Sequence, residues 1–105
     1  MAKTAVVWTD NAKQDLSEIG SYIAKDSRAR AVDFTQRLFD STVQLEDFPL
    51  SGPPCPEDPT CRQLVLDGYR IIYEVTKERS DVLTVISPGL DATRMLKRLK
   101  TPVTK

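Results

Sequence analysis

Asp67-Gly68 is the feature that most constrains what this chain can fold into. It separates two β-prone runs, Arg62 to Leu66 and Tyr69 to Val75. A two-residue Asp-Gly spacer favours the type I′ turn, whose twist matches that of the strands it joins. A hairpin closed this way has one register: Leu66 opposes Tyr69, Leu64 opposes Ile71 and Arg62 opposes Tyr73. Side chains alternate along a strand, so one face gathers Leu64, Leu66, Tyr69, Ile71, Tyr73 and Val75 and becomes the core candidate. The other carries Gln63, Val65, Arg70, Ile72 and Glu74, a mixture that suits a partly solvated, functional face. Tyr69 and Tyr73 are expected in the core with their hydroxyls at its rim. Arg70 has two readings, a functional cation or the partner of Glu74 on its own face, and Arg62 reads as a solvent-capped strand start.

The remaining elements follow from periodicity. Lys3 to Trp8 is predicted as a strand, because Ala5, Val6, Val7 and Trp8 form a short apolar, β-prone run. Thr9-Asp10-Asn11 then suits a helix N-cap, and Ala12, Leu16, Ile19 and Ile23 recur at helical spacing with Lys13, Gln14, Asp15 and Glu18 on the polar side. The spacing predicts a helix over 10–25. Asp26 and Ser27 cap a second, over 28–47, whose apolar stripe is Ala31, Phe34, Leu38 and Leu45 and which Pro49 limits. The short break between them predicts an antiparallel helical hairpin. Leu50 to Thr60 holds Gly52, Pro53, Pro54, Pro56 and Pro59, and reads as a loop. Lys77 to Asp81 reads as a polar turn and Val82 to Ile86 as a buried strand. Asp91 to Lys100 predicts a short helix with Met95, Leu96 and Leu99 packing back, and Thr101 to Lys105 is expected to fray. The fold class is therefore α+β: an N-terminal strand, a helical hairpin on one face of a small, mostly antiparallel sheet in the order β-α-α-β-β-β, and a C-terminal helix. Leu16, Ile19, Phe34, Leu38, Leu64, Ile71 and Val85 are the expected core.

At 105 residues the chain is read as a single domain, with a core at about 4–87 and a basic tail over 91–105. Charged residues make up 29% and hydrophobic ones 40%, a globular composition. No apolar stretch reaches the ~20 residues that span a bilayer, and Met1 to Trp8 has no signal-peptide character, so a cytoplasmic location is expected and no membrane partner. In that compartment Cys55 and Cys61 are expected as free thiols. The chain has no histidine, which removes imidazole chemistry and the commonest metal ligand, and no cofactor or metal site is expected. Net charge is zero but uneven: residues 91–105 hold five basic side chains, Arg94, Lys97, Arg98, Lys100 and Lys105, and one acidic, Asp91. Such a tail suits an acidic partner surface or nucleic acid, or serves only as a solvated extension.

Local motifs carry a resemblance to a known family. Trp8-Thr9-Asp10-Asn11-Ala12, then Asp15-Leu16 and Ile19, Tyr22, Ile23 and Ala24, are similar to the opening strand and first helix of the ParE/RelE toxin superfamily. Leu45-Glu46-Asp47-Phe48-Pro49 with Gly52 resembles its exit from the second helix. Most specific is Pro56-Glu57, then Cys61-Arg62-Gln63-Leu64, then Gly68-Tyr69-Arg70-Ile71-Ile72-Tyr73-Glu74-Val75. The similarity covers about residues 4–87.

The resemblance implies the toxin half of a type II toxin–antitoxin pair, neutralised by a cognate antitoxin that wraps its surface in a hetero-oligomer. It leaves two modes of action. ParE-type members bind DNA gyrase and trap it on cleaved DNA, whereas RelE-type members cut mRNA on the ribosome. The RNase needs groups that activate the ribose 2′-hydroxyl, stabilise the pentacovalent phosphate and protonate the leaving oxygen. Carried over, these roles fall to Glu57 and Arg70, with Arg62 nearby. The superfamily's C-terminal His or Tyr has no counterpart, since Ser87 stands at the end of the last strand and no His or Tyr follows it. A balanced net charge also lacks the strongly basic character that seats such proteins on the ribosome. The ParE-like reading is favoured, with Arg94, Lys97, Arg98 and Lys100 as target-binding candidates. A degenerate, non-toxic member is the third reading.

Overall fold

The computed structural model describes residues 3–100. Its elements are β1 (Ala5–Trp8), α1 (Asp10–Ala24), α2 (Arg28–Ser41), a 3₁₀ turn (Val43–Glu46), β2 (Pro54–Cys55), β3 (Asp58–Leu66), β4 (Tyr69–Val75), β5 (Arg79–Ile86) and α3 (Thr93–Lys100). The strands form one sheet in the order β1-β5-β4-β3-β2, with β1 parallel to β5 and every other pair antiparallel. The β3–β4 hairpin has the expected register, and its turn residues Asp67 and Gly68 take φ of 50° and 82°, as a type I′ turn requires.

Both helix starts are capped as their sequences suggest. The Thr9 hydroxyl accepts from the Ala12 N–H at 3.2 Å, and the Ser27 hydroxyl from the Arg30 N–H at 3.2 Å. The second helix is shorter than its stripe predicts. It ends at Ser41 because the Thr42 and Ser41 hydroxyls turn back onto the Phe39 and Leu38 carbonyls, at 2.7 Å each, and the chain tightens into the 3₁₀ turn. Two loop expectations are also corrected. Pro54–Cys55 and the residues from Asp58 onward are strands at the sheet edge, where proline's missing N–H costs no ladder bond. Strand β5 begins at Arg79 and not at Val82, since its first residues pair with β1. The Thr101 to Lys105 expectation lies outside the described residues.

Beyond Val82 strand β5 has no β1 partner, and side chains from the start of α1 take its place. The Thr9 hydroxyl donates to the Val82 carbonyl at 2.8 Å and the Asn11 amide to the Leu83 carbonyl at 3.0 Å. Asp15 Oδ2 accepts from the Val85 N–H at 3.1 Å and from the Thr84 hydroxyl at 2.5 Å. The polar residues at the head of α1 therefore complete a sheet edge, which no helical wheel reveals.

Both faces of the sheet are covered. The helical hairpin packs on one, burying Trp8, Ile19, Leu38, Ile71, Tyr73 and Val85, with Leu16, Phe34 and Leu64 only partly buried against them. The opposite face carries a second apolar cluster, Cys55, Cys61, Ile72, Ile86, Ala92 and Leu96. Ile72 is fully buried there, so the face expected to be partly solvated is in large part a second core, closed by α3. Tyr73 is corrected too: its hydroxyl is not at a rim but donates to the Pro49 carbonyl at 2.9 Å and accepts from the Gly52 N–H at 3.0 Å. Gly52 is required at this closure, because a Cβ would lie 2.4 Å from the Gln63 carbonyl oxygen and 2.8 Å from the tyrosine hydroxyl.

Candidate functional site

Glu57 stands in the tight turn between β2 and β3, and Arg70 is the second residue of β4, so the sheet edge and its interior bring the two motifs together. Arg70 Nη1 and Nη2 donate to Glu57 Oε1 and Oε2 at 2.7 and 2.6 Å, a two-pronged ion pair. The guanidinium also donates to Gln63 Oε1 at 3.1 Å and to the Leu90 carbonyl at 2.9 Å. Glu57 Oε2 accepts in addition from the Ala92 N–H at 2.9 Å, and Oε1 from the Cys55 thiol at 3.5 Å. The side chains are 17% and 11% exposed. Of the two readings of Arg70, its pairing with Glu74 does not form, because the Glu57 carboxylate in the β2–β3 turn meets both prongs of the guanidinium.

This environment sets the protonation states. The hydrogen bonds from Arg70, with help from the Ala92 N–H and against burial, hold the Glu57 carboxyl down at about 2, from an ordinary 4.5. Arg70 is correspondingly held more firmly in its charged form by Glu57. The Cys55 thiol is pushed up by burial, as is that of Cys61. Both cysteines are free and buried. Neither is poised as a nucleophile, since the thiolate is the reactive species.

A second ion-pair cluster sits at the end of α3. Lys100 Nζ lies 3.0 Å from Asp58 Oδ2 and 3.4 Å from Glu74 Oε2, donates to the Thr60 hydroxyl, and approaches the Cys61 sulfur at 3.6 Å. Its pKa is raised, because burial, which alone would lower it, is outweighed by Asp58 and its neighbours. Glu74, the alternative partner for Arg70 on its own face, thus serves α3 instead. The basic segment divides accordingly: Lys100 is turned inward as an anchor, while Arg94, Lys97 and Arg98 lie exposed on the outer side of α3. Lys105 lies outside the described residues. Arg62, expected to cap in solvent, donates to the Gly52 carbonyl at 2.7 Å and to that of Leu50 at 3.3 Å, holding the loop before β2.

Of the RNase candidates, Glu57 and Arg70 are brought together and Arg62 is directed elsewhere. Gln63, Leu90 and Ala92 complete the cluster, and sequence reasoning missed them. The one available signal was parity, because Gln63, Arg70 and Ile72 share a sheet face. Leu90 and Ala92 contribute backbone atoms, for which side-chain identity gives no cue. Among the described residues no three histidine, cysteine or acidic side chains gather to hold a metal ion, and no helix is long and apolar enough to cross a membrane.

The fold has solved relatives. A chain from the chromosomal ParDE toxin–antitoxin system of Pseudomonas aeruginosa superposes with a TM-score of 0.73 at 21% identity, over 83% of this chain and 98% of that one. A mutant of the Escherichia coli toxin RelE in the free state gives 0.65 at 19% identity, over 93% and 98%. The RelBE2 toxin–antitoxin complex of Mycobacterium tuberculosis gives 0.56 at 23% identity, over 86% and 97%. No curated protein sequence matches. The family model described as ParE toxin of type II toxin-antitoxin system, parDE, matches residues 6–88, most of the chain and nearly the whole sheet and hairpin, and the chain therefore belongs to the ParE toxin family.

Proposed function

We propose that this ParE-family toxin acts in the cytoplasm as a non-enzymatic inhibitor that binds DNA gyrase, is neutralised by a cognate antitoxin, and does not cut RNA. The observation that carries this reading is the state of Arg70. An arginine that stabilises a pentacovalent phosphate must present donors to it, but those of Arg70 are directed at Glu57, Gln63 and the Leu90 carbonyl. Glu57 is equally committed, and a carboxyl held at about 2 is a weak proton acceptor at neutral pH. The absent His and C-terminal Tyr remove the third group. General acid–base assistance is worth about 10² to 10⁴ in rate, so an RNase built on these residues would be slow.

Target binding is assigned to the exposed cations of α3, Arg94, Lys97 and Arg98. Lys100 leaves that set, since it anchors the helix. The test is purified protein in two assays. Inhibition of gyrase supercoiling, or a stabilised cleavage complex, with intact mRNA on programmed ribosomes supports the reading. Arg94→Glu/Lys97→Glu/Arg98→Glu should weaken inhibition more than Glu57→Gln does. Deleting α3 is a poor substitute, because it uncovers Ile72 and Ile86. Cleavage of mRNA abolished by Arg70→Ala would overturn the reading in favour of a RelE-like endonuclease, and silence in both assays with tight antitoxin binding would favour a non-toxic member.

A further inference from the structure

Cys55 and Cys61 are the only cysteines in the chain, and the fold brings both to one place. Pro54 of β2 pairs with Arg62 of β3, and the chain between them turns back through residues 56 and 57. Cys55 and Cys61 are the next residues from that pair toward the turn, one on each strand. Both side chains are fully buried, and both enter the same apolar cluster as Ile72, Ile86, Ala92 and Leu96 on the α3 side of the sheet. Antiparallel partners have Cα atoms about 4.5 to 5.5 Å apart, and a disulfide accepts separations of about 4.4 to 6.8 Å. Past Pro54 the register passes from Arg62 to Asp58, so Cys61 has no partner on β2 and can meet Cys55 without displacing one.

The segment between the two cysteines holds the groups that fasten α3. Glu57 accepts from the Ala92 N–H at 2.9 Å, Asp58 pairs with Lys100 at 3.0 Å, and the Thr60 hydroxyl accepts from the same ammonium. Over the thiols α3 lays Leu96, with Met95 beside it. A helix of eight residues is marginal by itself, so α3 depends on these contacts and opens more readily than the strands beneath it. While it is closed, burial pushes both thiols up and disfavours the thiolate, which is the reactive species. Opening uncovers both at once.

We propose that Cys55 and Cys61 are a redox-sensitive thiol pair gated by α3, which hydrogen peroxide converts to an intramolecular disulfide when the helix lifts. One thiolate attacks a peroxide oxygen, the O–O bond breaks, and a sulfenic acid forms while the released hydroxide takes the thiol's proton and leaves as water. The second thiolate attacks the sulfenic sulfur and displaces hydroxide, which takes the second proton. Two thiols and one peroxide thus give one disulfide and two waters, the sulfurs losing the two electrons that the peroxide gains. The bridge also removes the hydrogen that Cys55 donates to Glu57 at 3.5 Å, so oxidation acts on the turn that anchors α3.

The test uses the full-length protein, reduced, freed of reductant and exposed to dilute hydrogen peroxide at neutral pH. Bridge formation is followed by intact mass and by mapping without reductant. Wild type should lose two hydrogens, and cleavage after Glu57 should leave its two fragments joined. Lys100→Ala, which loosens α3, should raise the rate by about fivefold or more. Lys100 itself favours the Cys61 thiolate, so a rate controlled by charge at the sulfur would fall instead, and the gate would be wrong. Asp15→Ala weakens the β5 edge away from α3 and should leave the rate within about twofold of wild type. Equal acceleration by Asp15→Ala would mean that the thiols are reached only through global unfolding, and the gate falls. Sulfenic or sulfinic acids on separate cysteines, or disulfide-linked dimers, with no internal bridge would show that the two sulfurs are not neighbours. Thiols that stay reduced in both wild type and Lys100→Ala would overturn the proposal as well.

Discussion

Replacing Glu57 by Gln removes one charge and almost no volume, and it isolates what the Glu57–Arg70 pair contributes to the fold. The carboxyl drops from 4.5 to about 2 in the folded chain. Each pKa unit corresponds to about 1.36 kcal/mol, so the charged form is favoured by about 3 kcal/mol in the native state. The neutral amide retains some contacts and Arg70 keeps Gln63 and the Leu90 carbonyl, so about 2 kcal/mol of lost stability is expected. With a urea slope on the order of 1 kcal/mol/M, the unfolding midpoint falls by about 2 M. Acid gives an independent reading of the same quantity. Because the folded pKa is depressed, the stabilisation is fully present above about 4.5 and disappears as pH falls through about 2. Wild type should therefore lose stability over that window and Glu57→Gln should be flatter there. The pair joins the β2–β3 turn, β4 and the segment before α3, so amide exchange around Ala92 should quicken in the variant. A midpoint shift below about 0.5 M, or an acid profile identical to wild type, would refute the idea that this pair fastens α3 to the sheet.

Four further outcomes follow from particular contacts. Asp15→Ala should cost about 2 to 3 kcal/mol in denaturant unfolding, because it leaves the Val85 N–H and the Thr84 hydroxyl without an acceptor, and Val85 should lose amide-exchange protection. Gly52→Ala should destabilise by at least ~1 kcal/mol through backbone overlap. Tyr73→Phe removes a partner from the same closure and should cost a similar amount, with a double mutant less than additive. Cys55 and Cys61 should both titrate with a thiol reagent in denaturant and react slowly in the native protein, since both are buried with thiols pushed up; a native protein that reacts as fast as free cysteine would show that α3 is not closed over them.

What the sequence determined by itself is local. The Asp67-Gly68 turn, the hairpin register and the two helix caps each depend on residues a few positions apart, where backbone preference and side-chain period are decisive. The motif match to the toxin superfamily belongs here as well, because it too is a pattern of neighbours. Tertiary structure decided everything that depends on which distant groups meet. Arg70 had a carboxylate four residues away on its own strand, and only the fold of the edge strand brought Glu57 to it instead. Lys100 read as part of a basic tail until the helix carrying it lay across β3 and β4. Asp15 read as a solvent-facing helix residue, yet it supplies an edge acceptor to a strand 70 positions further along the chain. Ionic and hydrogen-bonding partners are chosen by distance and desolvation in three dimensions, and a polar residue's spacing in the chain says nothing about which unpaired group the fold will leave beside it.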